Sequence, residues 1–396
     1  MPGAPAANDE LAGTIPGLSG PQVAMHATGD AEFARVFSAS AGLGPVFVAA
    51  SCESCHVGDG KGHPVFNITR FGRADAGGFD GMRASGGPQL QDRAVLGYVA
   101  EVLPAAATGV ARLTAPAVTG LGYLEAVDDT TLLNLEDPND LDGDGISGRV
   151  QLIDANDLLA EVVAFESVAT DGPPTRGTLI NGQYIGRFGK KALSVNLLQQ
   201  VATAYHQDMG ITSDLIPEEI FNPAVGAFTG DAAPEPEAPS SVVHAVTFYI
   251  KTLKVPPRRN ASDADVVAGE QLFAAGPCAS CHLPTLTTGA SHIAGLDRVT
   301  FHPFTDLLLH DMGPELDDGY TEGRAMTSEW RTAPLWGLGL AASAQGGSMH
   351  LLHDGRAKSI SEAVSFHGGE AAVSRSWFDG LSAEQRRQVA AYLLSL

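Results

Sequence analysis

Cys52-Glu53-Ser54-Cys55-His56 and Cys278-Ala279-Ser280-Cys281-His282 use every cysteine of this 396-residue chain. Each pair encloses two residues and is followed at once by a histidine. This is the spacing of c-type haem attachment: two thiols add to the porphyrin vinyl groups, and the adjacent imidazole lies beneath the iron as proximal ligand. A zinc site would use both thiolate pairs but would not call for a histidine directly after each. A thioredoxin-like centre needs one pair in a βαβ setting and has no use for two. Cys52, Cys55, Cys278 and Cys281 are therefore expected to carry two covalently bound haem c groups, with His56 and His282 on the irons and no disulfides. Covalent haem attachment in bacteria takes place outside the cytoplasm, so a periplasmic or otherwise exported protein is expected. Its leader is absent from this sequence, since Met1-Pro2-Gly3-Ala4-Pro5-Ala6-Ala7 lacks the charged-then-apolar pattern of one.

The motifs mark an internal repeat. Val46-Phe47-Val48-Ala49-Ala50-Ser51-Cys52 parallels Leu272-Phe273-Ala274-Ala275-Gly276-Pro277-Cys278, and each follows an amphipathic stretch, Asp30–Phe37 in the first copy and Asp263–Ala275 in the second. At the end of the chain, Ser382 and Gln385 form a capping box for a helix whose apolar face includes Val389, Tyr392, Leu393 and Leu396. Between the copies, Gly230–Ser241 is rich in proline, acids and small residues and reads as a linker. The expected architecture is mainly α, two cytochrome c-like domains with long irregular loops: 1–229 with the first haem, a linker at 230–241, and 242–396 with the second. A helix is also expected over Lys191–Met209. With 24 basic against 46 acidic side chains the net charge is −22, which argues against nucleic acid. No apolar run is long enough to span a membrane.

Further blocks resemble the bacterial di-haem oxidoreductase family, a branch of the superfamily that includes the di-haem cytochrome c peroxidases and MauG-type enzymes. They are Gly120-Leu121-Gly122-Tyr123-Leu124-Glu125-Ala126-Val127, Gly186-Arg187-Phe188-Gly189-Lys190-Lys191-Ala192, Leu307-Leu308-Leu309-His310-Asp311-Met312-Gly313, Arg331-Thr332-Ala333-Pro334-Leu335-Trp336-Gly337 and His353-Asp354-Gly355-Arg356. The resemblance runs from about Gly42 to Leu396. It implies two haems with unequal tasks: the C-terminal one six-coordinate and relaying electrons, the N-terminal one with a coordination position open to peroxide. It also implies a second ligand for the C-terminal haem fourteen residues after His353, where His367 stands. Met312 and His310 are the alternatives. The histidine that typical peroxidases place sixteen residues after the first proximal one is Gly72 here, and His63 is a poor substitute on so short a loop. Glu125 occupies the part of the domain where the peroxidases keep a proton-transferring glutamate. Trp336, in a block just before His353, is singled out as the aromatic near the cofactors.

Asp140, Asp142 and Asp144 followed by Gly145 reproduce the first half of a calcium-binding loop, without the acid at position twelve, where Gln151 stands. The function expected is peroxide reduction, with a small redox protein as donor. Oxidation of an organic or protein substrate with peroxide or dioxygen is the alternative, as is a non-enzymatic two-haem electron carrier.

Overall fold

The computed structural model describes residues 11–75, 78–154, 181–220, 222 and 233–396. Its helices are α1 (Gly20–Ala34), α2 (Leu121–Glu125), α3 (Asp129–Leu135), α4 (Leu197–Met209) and α5 (Ser240–Thr252) in the first part of the chain. They continue with α6 (Ala264–Ala275), α7 (Ala341–Ala344), α8 (Ile360–Ser365), α9 (Ala372–Gly380) and α10 (Ala383–Ser395). α1 begins ten residues before the expected Asp30. Ser19 and Gln22 close a capping box there and Pro21 sits in the first turn, where its missing N–H costs nothing. The capping box of Ser382 and Gln385 starts α10 as expected.

Two helix crossings organise the molecule. α1 crosses α5 at Gly29, where a Cβ would collide with the Ala245 carbonyl and lie 2.6 Å from Tyr249 Cβ. α6 crosses α10 at Gly269, where a Cβ would collide with the Gln388 carbonyl and lie 2.8 Å from Tyr392 Cβ. One turn after each glycine a phenylalanine packs on the tyrosine of the partner helix: Phe33 on Tyr249 with ring centroids 5.4 Å apart, Phe273 on Tyr392 at 5.5 Å. The repeat visible around the cysteines thus extends to a pair of helices on each side.

The partner of α1 is a helix that the linker reading put in the second domain. The linker itself, of which residues 230–232 lie outside the described residues, is docked rather than free. Ala238 is fully buried, its N–H donates to the Thr212 carbonyl, and the Glu237 carboxylate accepts from Thr212 N at 2.8 Å. Glu237 accepts from the Thr212 backbone and Glu235 from the Thr212 hydroxyl, so the linker's polar composition is not a sign of mobility here.

The larger hydrophobic core gathers Phe33, Leu124, Leu197, Tyr205 and Tyr249, and it also takes in Leu286, Ile293, Phe301 and Trp336 from beyond the second motif. The smaller one holds Val266, Phe273, Phe304, Phe378, Val389 and Tyr392. Short antiparallel strands connect these parts. The longest, Ile68–Asp75, pairs with Gly78–Asp80 and with Gly109–Leu113 in the register Ile68↔Leu113. The chain is helical at its cores yet carries more strand than a mainly α reading allows. Among the described residues no helix is long and apolar enough to cross a membrane.

The close approach at the crossings makes a direct prediction. Gly29→Ala and Gly269→Ala should each destabilise the protein by about 1–3 kcal/mol, because the helices must move apart. Gly20→Ala, at the open start of α1 with nothing within 4 Å, should leave the denaturation midpoint unchanged or slightly raised.

Candidate haem sites

Each cysteine motif ends on a histidine whose ring is fixed by one carbonyl. His56 Nδ1–H donates to Pro116 O at 2.7 Å, and His282 Nδ1–H donates to Phe304 O at 3.0 Å. A carbonyl can only accept, so the tautomer is set and Nε2 keeps its lone pair. Burial pushes both imidazoles down to about 4, so they are neutral at pH 7. The four cysteines are free, half-buried thiols. Burial, reinforced by the Asp208 carboxylate, pushes Cys52 and Cys55 up to about 12, and burial pushes Cys278 up to about 11. Neutral thiols in pairs beside a neutral, oriented imidazole are the donor set that a covalent haem requires.

The two motifs differ in what stands near them. His367 directs Nδ1–H to Ala363 O at 2.9 Å, so its Nε2 is uncommitted among the described residues. Burial lowers its pKa, and its charge is one of the influences that depress His282. His310 is spent elsewhere. Its Nε2 lies 2.9 Å from Asp306 and its Nδ1 2.8 Å from Glu370. Burial opposes the charge, but the bonds to Asp306, Cys281 and Glu370 outweigh it and push His310 up to about 12. An imidazolium with both nitrogens donating has no lone pair for iron. Met312 packs instead with the cluster around Trp330. On the first side, His63 Nδ1 accepts from Val65 N at 3.1 Å and its ring packs edge-on against His350.

Half-buried cations stand near the first motif and His353, a feature the sequence reading missed. Lys190 accepts from Arg331 N through its carbonyl, but its Nζ makes no hydrogen bond among the described residues, and burial, with Lys61 and Arg331 adding to it, holds its pKa far below the ordinary lysine range. Its charge is felt at both His56 and His353. Arg331 is lowered to about 10 by burial, against the pull of Asp306. Lys190 is half-buried, and of the nearby groups the Asp354 carboxylate favours its charge; a further anionic group such as a haem propionate would favour that charge more. The neighbouring Lys191 is satisfied differently: Nζ donates to Met326 O, Thr327 O and Glu329 O, each at 2.9 Å. The doubled lysine in Gly186–Ala192 was the available signal.

His353 is buried, held down to about 3 chiefly by desolvation, and lies flat on Trp330 with centroids 3.7 Å apart. Lys191 Nζ is 3.9 Å from the same Trp330 centroid. The His353 loop is tied to the first motif's loop, since Lys61 Nζ donates to Leu352 O and Asn67 Nδ2 to Asp354 O, both at 2.9 Å. Trp336, singled out from sequence, is a core residue 6.2 Å from Phe301. The tryptophan on the charged ground is Trp330.

Glu125 is buried as expected, and both its oxygens are engaged. Oε1 accepts from Leu197 N at 2.7 Å, at the start of α4, and Oε2 pairs with Lys251 Nζ at 2.8 Å. The carboxylate ties α2 to α4 and α5. Asp140, Asp142 and Asp144 do converge, with one oxygen from each within 4.8 Å of the others. Asp140 Oδ1 accepts from Gly145 N and Asp144 Oδ1 from Ile146 N. Ser147, at the end of this loop, donates through N and Oγ to Glu370.

Removing one partner of a buried ion pair leaves the other charge stranded, at a cost of about 3–5 kcal/mol. Glu125→Gln should therefore lower the unfolding midpoint strongly, and Glu125→Gln combined with Lys251→Met should recover most of the loss. A Glu125→Gln protein of unchanged stability would overturn this structural role.

The family described as "Di-haem oxidoreductase, putative peroxidase" matches residues 7–73 and 102–396. No curated protein matches the chain. Among solved structures, the hydrazine synthase of Kuenenia stuttgartiensis is similar at 13% identity, covering 98% of this chain and 91% of that one with a TM-score of 0.39. A MauG-like protein associated with microbial copper homeostasis is similar at 16% identity, covering 52% of this chain and 68% of that one with a TM-score of 0.30. With paired thiols, oriented histidines and half-buried cations in place, and with a match over nearly its whole length, the chain belongs to the di-haem oxidoreductase family.

Proposed function

We propose that this protein is an exported di-haem c-type oxidoreductase that reduces hydrogen peroxide at the first haem with electrons relayed through the second. Cys52, Cys55 and His56 would hold the first group. Cys278, Cys281 and His282 would hold the second, with His367 as its sixth ligand. The observation that carries this reading is the unequal provision of ligands. His367 offers an uncommitted Nε2 and is electrostatically coupled to His282, whereas the ring of His63 is engaged by Val65 and packed on His350. An iron with protein ligands on both faces suits electron relay, and an iron with one leaves room for peroxide.

When bound, the haem groups supply the redox chemistry and the cleavage of the oxygen–oxygen bond. The chain's own part is to place and tune them. Pro116 O and Phe304 O hold the proximal imidazoles in the ligating tautomer. Lys61, Lys190 and Arg331, all half-buried, would offer positive charge to the propionates. Glu125 is not the proton donor in this reading. The donor of electrons is a small redox protein.

Each haem belongs to a cytochrome c-like module closed by a helix crossing, α1 with α5 and α6 with α10. The boundary then falls between Thr252 and Ala264 rather than at 230–241. Asp140, Asp142 and Asp144 are assigned a structural calcium ion, so chelation should lower the melting temperature, because a ligand of the folded state alone stabilises it by mass action. An unchanged midpoint, with no calcium by elemental analysis, would leave an ordinary acidic turn.

The denatured protein should exceed its polypeptide mass by two haems. The reduced protein should bind carbon monoxide at one iron only. His367→Ala should make the second iron high-spin and open to carbon monoxide, while His367→Met should keep it six-coordinate at a higher potential. A low-spin spectrum untouched by His367→Ala would place the ligand elsewhere. Two low-spin irons that bind no carbon monoxide would make the protein an electron carrier.

A further inference from the structure

The two helix crossings place a tyrosine in the same position, but the surroundings of the two tyrosines differ. Tyr249 is 1% exposed, and its hydroxyl donates to the Asp59 carboxylate at 2.8 Å. Asp30, exposed on α1, also bears on the phenol and raises its pKa. Asp59 itself is buried, in the turn that follows the first haem motif. Gly58 and Asp59 both adopt left-handed backbone there, with φ of 55° and 60°, which turns the carboxylate inward to α5. Rings lead from Tyr249 to the first proximal ligand: Phe33 is 5.4 Å from Tyr249 and 6.0 Å from His56.

In the second copy, Phe273 and Phe304 surround Tyr392 at 5.5 and 6.1 Å. The Tyr392 hydroxyl makes no hydrogen bond among the described residues. The Arg258 guanidinium lies 5.0 Å from its ring centroid and is paired with Glu270 at 2.7 Å. A phenol is hard to oxidise unless its proton has somewhere to go, and a nearby cation makes the loss of an electron harder still. Only the first copy offers a base.

We infer that Tyr249 is a redox-active side chain that gives one electron to the oxidised first haem and its proton to the Asp59 carboxylate. This rests on the reading that the first haem reacts with peroxide. The step balances with hydrogen peroxide as oxidant: it takes two electrons, and two protons drawn from solvent, to form two waters. One electron comes from Tyr249, left as a neutral phenoxyl radical with its proton on Asp59, and the other comes from the haem group. The buried tyrosine then holds one oxidising equivalent away from the iron, on the side of α1 that leads to the exposed Asp30.

Peroxide is added to the two-haem protein, and the haem absorption and the electron paramagnetic resonance spectrum are followed together. A tyrosyl signal is expected in the native protein and in Tyr392→Phe, and its loss is expected in Tyr249→Phe. Asp59→Asn should form the signal about 100-fold more slowly, for want of a proton acceptor. Tyr249→Phe keeps the packing, and its haem content and low-spin spectrum serve as the check on folding. A haem spectrum that responds to peroxide without a Tyr249-dependent signal overturns the inference and leaves the peroxidase reading standing. A haem spectrum that does not respond removes the peroxidase reading. Photogenerated tris(bipyridine)ruthenium(III) is then the oxidant, and the same pattern across the variants is required. Its absence with both oxidants overturns the redox role of Tyr249.

Discussion

The approach of two helix backbones at a glycine is the constraint on which the rest depends. At Gly29 and again at Gly269 the chain gives up a side chain so that a carbonyl of the partner helix can lie against it. One turn further on, Phe33 and Phe273 meet Tyr249 and Tyr392. On the first side Phe33 lies beside the His56 ring, and on the second Phe304 packs on Phe273 and supplies the carbonyl for His282. Hydrophobic packing thus sets where each imidazole stands, and a single hydrogen bond sets which nitrogen it offers. Neither interaction is strong alone. Their value lies in leaving the ligand one tautomer and one orientation.

Charge near the first motif and His353 is handled in two contrasting ways by adjacent residues. Lys191 is buried with three carbonyl acceptors and an aromatic face, so its charge is compensated within the protein. Lys190 has none of these. Its charge is favoured by the Asp354 carboxylate alone among the groups that act on it. His310 shows the opposite balance: two carboxylates hold it charged beside Cys281 and fasten Glu370, three residues beyond His367. The loop that carries His367 is thereby anchored by an ion pair as well as by the packing of Val364 and Phe366.

The sequence was most legible where chemistry demands fixed spacing. The cysteine–histidine motifs, the capping box at Ser382 and the start of α6 at Asp263 all follow from local rules that tertiary context does not alter. At 230–241 composition reports solvation, not docking. Thr212 supplies the partner that orders Glu237 and Ala238, and nothing local announces it. Glu125 was rightly placed inside, but its partner Lys251 is 126 positions away in the chain. Of the tryptophans, Trp336 sits in the more recognisable block, whereas Trp330 holds the position beside His353. Pairings of this kind depend on which surfaces the fold brings together, and no periodicity encodes them.

The larger core crosses the seam between the two copies. Leu286, Ile293, Phe301 and Trp336 follow the second haem motif in sequence, yet they fill the interior built around the first. Gly289 N donates to Ala126 O at the end of α2, which pins this strap in place. The helices thus keep the imprint of a duplication that the hydrophobic interior has erased. The second half keeps the smaller core to itself, but the first half owns no closed interior, so the first half should not survive being made alone. The strap also makes loading of the two centres interdependent: the segment leading out of the second attachment site is a wall of the first. A fault in maturing one haem would be read out as misfolding around the other.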